Sequence, residues 1–377
     1  MSRCLAHNSI GRNLTGVTTM TTVDFFDLSY HELAELLERE IGTNKYRATQ
    51  LFEWVYRHGV EDLEAMKNVG KALRSDISSK IHFSPRPRIH ERHISSDGTR
   101  KYLFEVEGGD LVESVMIKQP SRMTLCVSSQ VGCAMGCKFC RTATMGLKRS
   151  LTTSEIIGQV RGVLEDAKSF GDSFSNIVFM GMGEPLHNFD NVTRAVKILT
   201  DTRGYAMSPR KVTVSTVGLV PAIRKLGESN IAVSLAISLN ATTDEIRSQI
   251  MPVNHKYPIS ELLNAVKTFP LGPRKKITIE YVMLGGVTDT PDDMKRLSKM
   301  MRGLPVKVNL IPYNENAGLG WKAPSKEWVH TWQTYMNNQG QQAFIRWSKG
   351  QDIAAACGQL ATASARPARG SLTQVAQ

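Results

Sequence analysis

The chain has no run of eighteen or more apolar residues, and no charged segment followed by an apolar one opens it. The first absence excludes a membrane-spanning helix and the second a secretory leader, so a cytoplasmic setting is expected. Cysteine is scarce, six in 377 residues, which is too few for a disulfide-stapled secreted fold. Acidic side chains are outnumbered: 35 Asp and Glu against 47 Lys and Arg leave a formal net charge of +12. Such a surplus suits a polyanionic partner, because each cation set against a phosphate releases a counterion, although a basic run is more often only a solvated face. The cations gather as Lys138/Arg141/Lys148/Arg149, Arg203/Arg210/Lys211 and Arg274/Lys275/Lys276.

Met1 to Thr22 contains Arg3, Arg12, several Ser and Thr and no acid, a composition shared with organellar transit peptides. A disordered tail, or sequence ahead of a start at Met20, is the simpler reading, and residues 1–26 are set apart from the fold on that basis. From Asp27 to Ser84 the pattern is helical, with Leu33, Leu36 and Leu37 on one stripe and Phe52, Val55 and Tyr56 on another. A small helical accessory domain, suited to RNA, is therefore expected over 27–84, closed by the breaker Ser84-Pro-Arg-Pro-Arg.

Three β-prone runs follow, His90–Ser95, Lys101–Val106 and Leu111–Lys118, the first two joined across Asp97-Gly98, a strong hairpin signal. They read as a β-meander over 85–121 that bridges to the main domain. Beyond Arg122 apolar runs alternate with helical patterns: Met123–Val127, Asn176–Met180, Val212–Val217, Ala232–Ser238, Ile277–Met283 and Val306–Ile311. Thr152-x-x-Glu155 opens one intervening helix as a capping box. Six strand–helix repeats predict an α/β fold with a parallel sheet, a partial (β/α)6 barrel over 122–360, with a doubly wound sheet as the alternative. In either architecture ligands sit at the carboxyl ends of the strands. The polar and cysteine-bearing segments fall there, which argues for one site. The Ala/Ser/Arg-rich tail, 361–377, is expected to be disordered.

Cys133-x-x-x-Cys137-x-x-Cys140 supplies three thiolates from a loop after the first run, flanked by Gly132 and Gly136, which let the backbone wrap a compact object. Electron-transfer [4Fe-4S] clusters take four cysteines. Three leave one iron open, as catalytic metal sites keep a position for a reactant. A zinc knuckle is the rival, but no Cys or His occurs between Cys140 and His187, and Cys126 stands seven residues upstream of the loop.

The CxxxCxxC spacing resembles that of the radical-SAM superfamily, whose [4Fe-4S] cluster and S-adenosylmethionine (SAM) generate a carbon radical in a partial barrel. Gly181-Met-Gly-Glu-Pro185 resembles its glycine-rich SAM contact, which implicates Gly183 and Glu184. Thr124-Leu-Cys-Val-Ser-Ser-Gln-Val-Gly-Cys133, Phe179–Pro185, Asn309-Leu-Ile-Pro-Tyr-Asn314 and Ala355-Ala-Cys-Gly-Gln-Leu360 narrow the likeness. Together they resemble the bacterial adenine-C2 methyltransferases of 23S rRNA and tRNA, over roughly Asp27 to Leu360.

That resemblance implies a role for each residue. Cys133, Cys137 and Cys140 hold the cluster. Cys357 accepts a methyl from SAM and presents it to the base, Cys126 resolves the protein–RNA thioether through a disulfide, and Glu113 removes the C2 proton. Strand alternation sets Glu113 on one face with Leu111, Val115 and Ile117, and a carboxylate on such an apolar face suits a general base at neutral pH. Ser215, Ser238, Leu239, Asn240 and Asn314 match SAM-contacting positions. The sequence departs from the family at Asn240, where the usual pattern is Ser-Leu-His; an Asn can still hydrogen-bond a ribose hydroxyl. The implied partners are 23S rRNA, tRNA and an external one-electron reductant of flavodoxin type, with a monomeric chain and no membrane. The sister C8-adenine methyltransferases, linked to antibiotic resistance, use the same cysteines. A non-enzymatic zinc-stabilised RNA-binding protein is the alternative of another class. Cys4 lies off every motif.

Overall fold

The computed structural model describes residues 22–316 and 318–362. The expectations for 1–21 and 363–377 lie outside the described residues.

The accessory domain is built on three helices, Tyr30–Ile41, Lys45–Phe52 and Lys71–Lys80. Ser29 and Glu32 cap the first reciprocally, satisfying N–H groups that a helix start leaves open. The Leu33/Leu36/Leu37 and Phe52/Val55/Tyr56 stripes are buried, as their periodicity predicts. The fold begins before Asp27, however. Val23–Asp24 pairs in parallel with Ile81–His82, and Phe25 and Phe26 are fully buried, with rings against Tyr56 and Phe83. Two adjacent phenylalanines in a short 3-10 turn carry no helical period, so the sequence boundary left them out. The domain is pinned to the main body by Arg161–Glu61 (2.6 Å), Arg194–Glu32 (2.9 Å) and a bond from the Ser154 N–H to Asp27 Oδ1 (2.7 Å).

One ten-stranded sheet forms the main body. Its strands are β1 Arg88–Ile94, β2 Arg100–Val106, β3 Asp110–Gln119, β4 Arg122–Cys126 and β5 Asn176–Phe179. β6 Val212–Thr216, β7 Ser234–Ser238, β8 Ile277–Met283, β9 Val306–Pro312 and β10 Ala343–Ile345 complete it. They lie side by side in chain order. β1 to β4 run antiparallel, and β4 to β10 form a parallel set with helices between them, the partial barrel.

Two features differ from the sequence reading. The meander is no separate bridge: β3 pairs with β4 in the register Val115↔Cys126 and continues the same sheet. A seventh parallel strand, β10, closes the far edge; three residues between Gln342 and Arg346 make too short a run to register as apolar. Phe179, Ile237, Ile279 and Leu310 fill the centre of the parallel part at 0–1% exposure. Trp332 of the helix Lys326–Asn338 stacks on Tyr281 from β8 outside it.

Candidate active site

The strand ends bring the predicted residues to one cavity. Cys137 and Cys140 line it, with Gly183 and Glu184 beyond β5, Ser215 at the end of β6, Ser238 and Asn240 at the end of β7, Asn314 past β9, and Cys357. Cys133, Cys126, Glu113 and Leu239 are not in its wall.

The cysteine loop is shaped by a short hairpin, Gln130–Gly132 against Leu147–Ser150. Gly132 adopts φ +76°, and a Cβ there would stand 1.8 Å from the Gly146 carbonyl oxygen, so only glycine allows the close pass. The Cys133 N–H then bonds Gly146 O at 2.8 Å. Burial pushes the Cys133 thiol up to about 12 and raises Cys137 as well, and each of these thiols is raised further by its cysteine neighbours in the loop. A bound polynuclear cation would hold such desolvated thiols as thiolates. Among the described residues no group of three or more His, Cys, Asp or Glu side chains is already gathered to hold a metal ion.

The facing wall is backbone. Gly183 has φ +101°, and a Cβ would meet Gln130 Cβ at 2.6 Å; the Glu184 N–H bonds Gln130 Oε1 at 2.9 Å. Glu184 is 2% exposed, with Oε1 accepting from the Leu186 N–H (3.1 Å) and Oε2 from the Val217 N–H (2.9 Å). Burial outweighs these bonds and pushes its carboxyl up to about 7. The cysteine loop and the Gly181–Glu184 backbone share one cavity, which fits a cluster with one open iron and an amino-acid ligand on it.

Cys357 lies on a docked segment. Its carbonyl accepts from Asn314 Nδ2 (3.1 Å), Gly358 O from the Arg141 N–H (2.8 Å) and Leu360 O from Thr142 Oγ1 (2.7 Å). The residue is exposed towards the cavity, while protein packed around the sulfur desolvates it and, with Glu280 adding, pushes the thiol up to about 11. Cys126 is buried at the end of β4, its thiol raised by burial and then by the charge of Cys357. The two cysteines are thus neighbours, although 231 positions separate them in the chain.

Glu113 shares the sheet face of Val115, whose partner across β3–β4 is Cys126, so the two side chains are diagonal neighbours. That face is not apolar. Glu113, fully buried, lies 3.2 Å from Lys101 Nζ, and its Oε2 accepts from the Ala361 N–H at 2.7 Å. Lys101 Nζ also reaches Ala354 O (3.3 Å), so the pair grips both ends of the Cys357 segment.

One expectation is corrected. Leu239 is 1% exposed, with its N–H bonded to Glu280 O and its carbonyl to Arg247 Nε; its side chain packs in the core and no part of it faces the cavity. Asn240 lines the cavity at φ +59°, but its Oδ1 accepts from the Val282 N–H (2.9 Å) and its Nδ2 faces Met251 Sδ. These contacts tie β7 to β8 and take one lone pair and one N–H of the amide; the second of each is left over. Sequence reasoning missed Glu280, an acid inside the apolar run of β8 that lines the cavity, and Arg247; the first could have been found as a charge at a buried strand position.

Residues 127–298 match the model of the radical SAM superfamily, and residues 23–82 that of the ribosomal RNA large subunit methyltransferase N-terminal domain. The fold and the cysteine loop therefore define a radical-SAM enzyme. A solved radical SAM methyltransferase from Sphaerobacter thermophilus superposes with a TM-score of 0.82 at 40% identity, covering 90% of this chain and 99% of that one. The dual-specificity RNA methyltransferase RlmN of Geobacter sulfurreducens is 49% identical over 90% of this chain and 92% of its own length. The RlmN of Pelobacter propionicus is 47% identical over 89% and 95%. The chain belongs to the RlmN family of dual-specificity RNA methyltransferases, and the zinc-stabilised binding protein is set aside.

Proposed function

We propose that this enzyme methylates C2 of adenine in 23S rRNA, in the peptidyl-transferase region, and of the adenosine 3′ to the anticodon in tRNA. Its family membership supports the substrate class, and the observation that carries the residue roles is the meeting of Cys357 with Cys137 and Cys140 of the cysteine loop at one cavity, with Cys126 buried behind Cys357.

Cys133, Cys137 and Cys140 would hold the [4Fe-4S] cluster, and the wall of Gly183, Glu184, Ser215 and Ser238 would hold SAM. Together, when bound, they supply an electron, a methyl group and a hydrogen-abstracting radical. Adenine C2 is not nucleophilic, so the methyl carbon has to reach it on a protein carrier. Cys357, which opens on the cavity beside Cys140, is that carrier. Glu113 takes the C2 proton. To reach the base it has to be uncovered, since its Oε2 is held by the Ala361 N–H. Cys126 then attacks the Cys357 sulfur; an S–S bond forms, the S–C bond breaks with its electron pair on carbon, that carbon takes the proton given up by the Cys126 thiol, and the methylated base leaves. Two electrons from outside restore the thiols. Asn314 serves by holding the Cys357 segment in place.

The net charge of +12 suits the RNA partner. No helix among the described residues is long and apolar enough to cross a membrane. We take the enzyme as a cytoplasmic monomer that draws electrons from a flavodoxin-like donor. Incubation of the anaerobically reconstituted enzyme with SAM, reductant and RNA tests the roles. Cys357→Ala is expected to abolish methylation, and Cys126→Ala to leave enzyme covalently attached to RNA. Turnover by either variant at the normal rate would refute its role.

A further inference from the structure

Arg247, on the helix Asp244–Ile250, is fully buried. Its donors are all engaged: Nε on Leu239 O (2.9 Å), Nη1 on Asn254 Oδ1 (2.9 Å) and Tyr257 O (3.4 Å), Nη2 on Val217 O (2.7 Å) and Ser238 O (3.2 Å). These bonds satisfy its N–H groups and fasten the ends of β6 and β7, two walls of the cofactor cavity. Val217 is clasped from both sides, its N–H by Glu184 and its carbonyl by Arg247.

None of the five acceptors is a carboxylate. Hydrogen bonds to neutral oxygens do not remove a charge, and a buried cation without a counter-charge is costly. The Asp244 carboxylate on the same helix accepts from the Ile259 N–H (2.8 Å). The backbone sets Arg247 beside the cysteine loop: the N–H of Lys138, next to Cys137, bonds Ile250 O at 2.9 Å, one turn from Arg247. Cys137, Ile250 and Met251 share one apolar cluster.

We propose that Arg247 is a positioning residue of the metal centre: its buried charge is completed by the negative charge of the thiolate-bound cluster and raises the cluster's reduction potential, while its hydrogen bonds set the cofactor-binding strand ends. The inference rests on the reading of Cys133, Cys137 and Cys140 as cluster ligands. A cluster with thiolate ligands becomes more negative on reduction, so a cation fixed beside it in a medium of low dielectric favours the reduced form. With every donor engaged by protein oxygens, the guanidinium acts through its charge and not by contact with SAM.

The test uses the full chain, reconstituted anaerobically with iron and sulfide, as wild type, Arg247→Gln, Arg247→Lys and Cys137→Ala. Iron per chain is measured, and the cluster is titrated potentiometrically with EPR detection, without RNA. Arg247→Gln is expected to bind iron as the wild type does and to shift the reduction equilibrium at least tenfold against the reduced form, 59 mV for one electron. Arg247→Lys, which keeps the charge with fewer donors, is expected to stay within threefold of the wild type. A wild-type potential in an iron-loaded Arg247→Gln variant would overturn the proposal. So would a tenfold shift in Arg247→Lys, which would assign the effect to lost hydrogen bonds, and this arm decides even where the Gln variant fails to assemble. Cys137→Ala is expected to lose the cluster. Full iron there would overturn the ligand reading itself, whatever the Arg247 variants show.

Discussion

The Lys101–Glu113 pair gives the sharpest energetic prediction. Lys101 is 5% exposed and Glu113 0%, so neither charge is screened as a surface pair would be. Removing one partner of such a pair leaves the other charge in a dry setting, at a cost of about 3–5 kcal/mol. Lys101→Met and Glu113→Gln are each expected to lower the melting temperature of the apoprotein by about 10 °C, at the few degrees per kcal/mol of a large domain. Lys101→Met/Glu113→Gln carries no orphaned charge and is expected to recover about 2 kcal/mol against the sum of the single losses. The pair also grips Ala354 and Ala361, so each single variant is expected to expose Cys357 to alkylation faster than the wild type. The segment stays attached through Arg141 and Thr142, and the expected gain is several-fold. Thermal melts of the four proteins, with mass spectrometry of alkylated Cys357, measure both effects. Strictly additive losses, or an alkylation rate unchanged in both single variants, would refute the clamp.

Glu184 makes stability depend on pH. Its pKa is pushed from 4.5 to about 7 by burial, so between those values the unfolded chain loses this proton while the folded chain keeps it, and its contribution to stability falls as pH rises through the window, by about 3 kcal/mol in all. In apoprotein melts Glu184→Gln is expected to gain on the wild type from pH 5 to pH 7.5; a constant difference would contradict the cause given. Gly132→Ala is expected to displace the cysteine loop, since its Cβ would overlap Gly146 O, and to reduce iron binding by more than half after reconstitution. Wild-type iron content would show that the hairpin has room to adjust.

The strands from β4 to β9 were legible because buried parallel strands read as continuous apolar runs. The helix Thr153–Lys168 was legible because its capping box is local, with Thr152 and Glu155 three residues apart. What escaped was set by contacts between distant segments. Lys101 reads as an ordinary strand residue until Glu113 and Ala354 are beside it, and Arg247 within Asp244-Glu-Ile-Arg looks like one more charge on a surface helix. Glu113 itself was found through the family motif, but the tie that buries it runs to Ala361, 248 positions away. Leu239 shows the converse limit: position in a motif named it, while the hydrogen bonds at the end of β7 gave its backbone groups to Glu280 and Arg247.

The claim at the centre of this account is that the cavity delivers a methyl carbon to C2 of an RNA adenine. Nucleoside mass spectrometry tests it most directly, on tRNA and a 23S rRNA fragment incubated without air with the iron-loaded enzyme, reductant and methyl-labelled SAM. The account predicts labelled 2-methyladenosine from both RNAs. Labelled 8-methyladenosine, or unlabelled RNA from an enzyme that cleaves SAM, would contradict it.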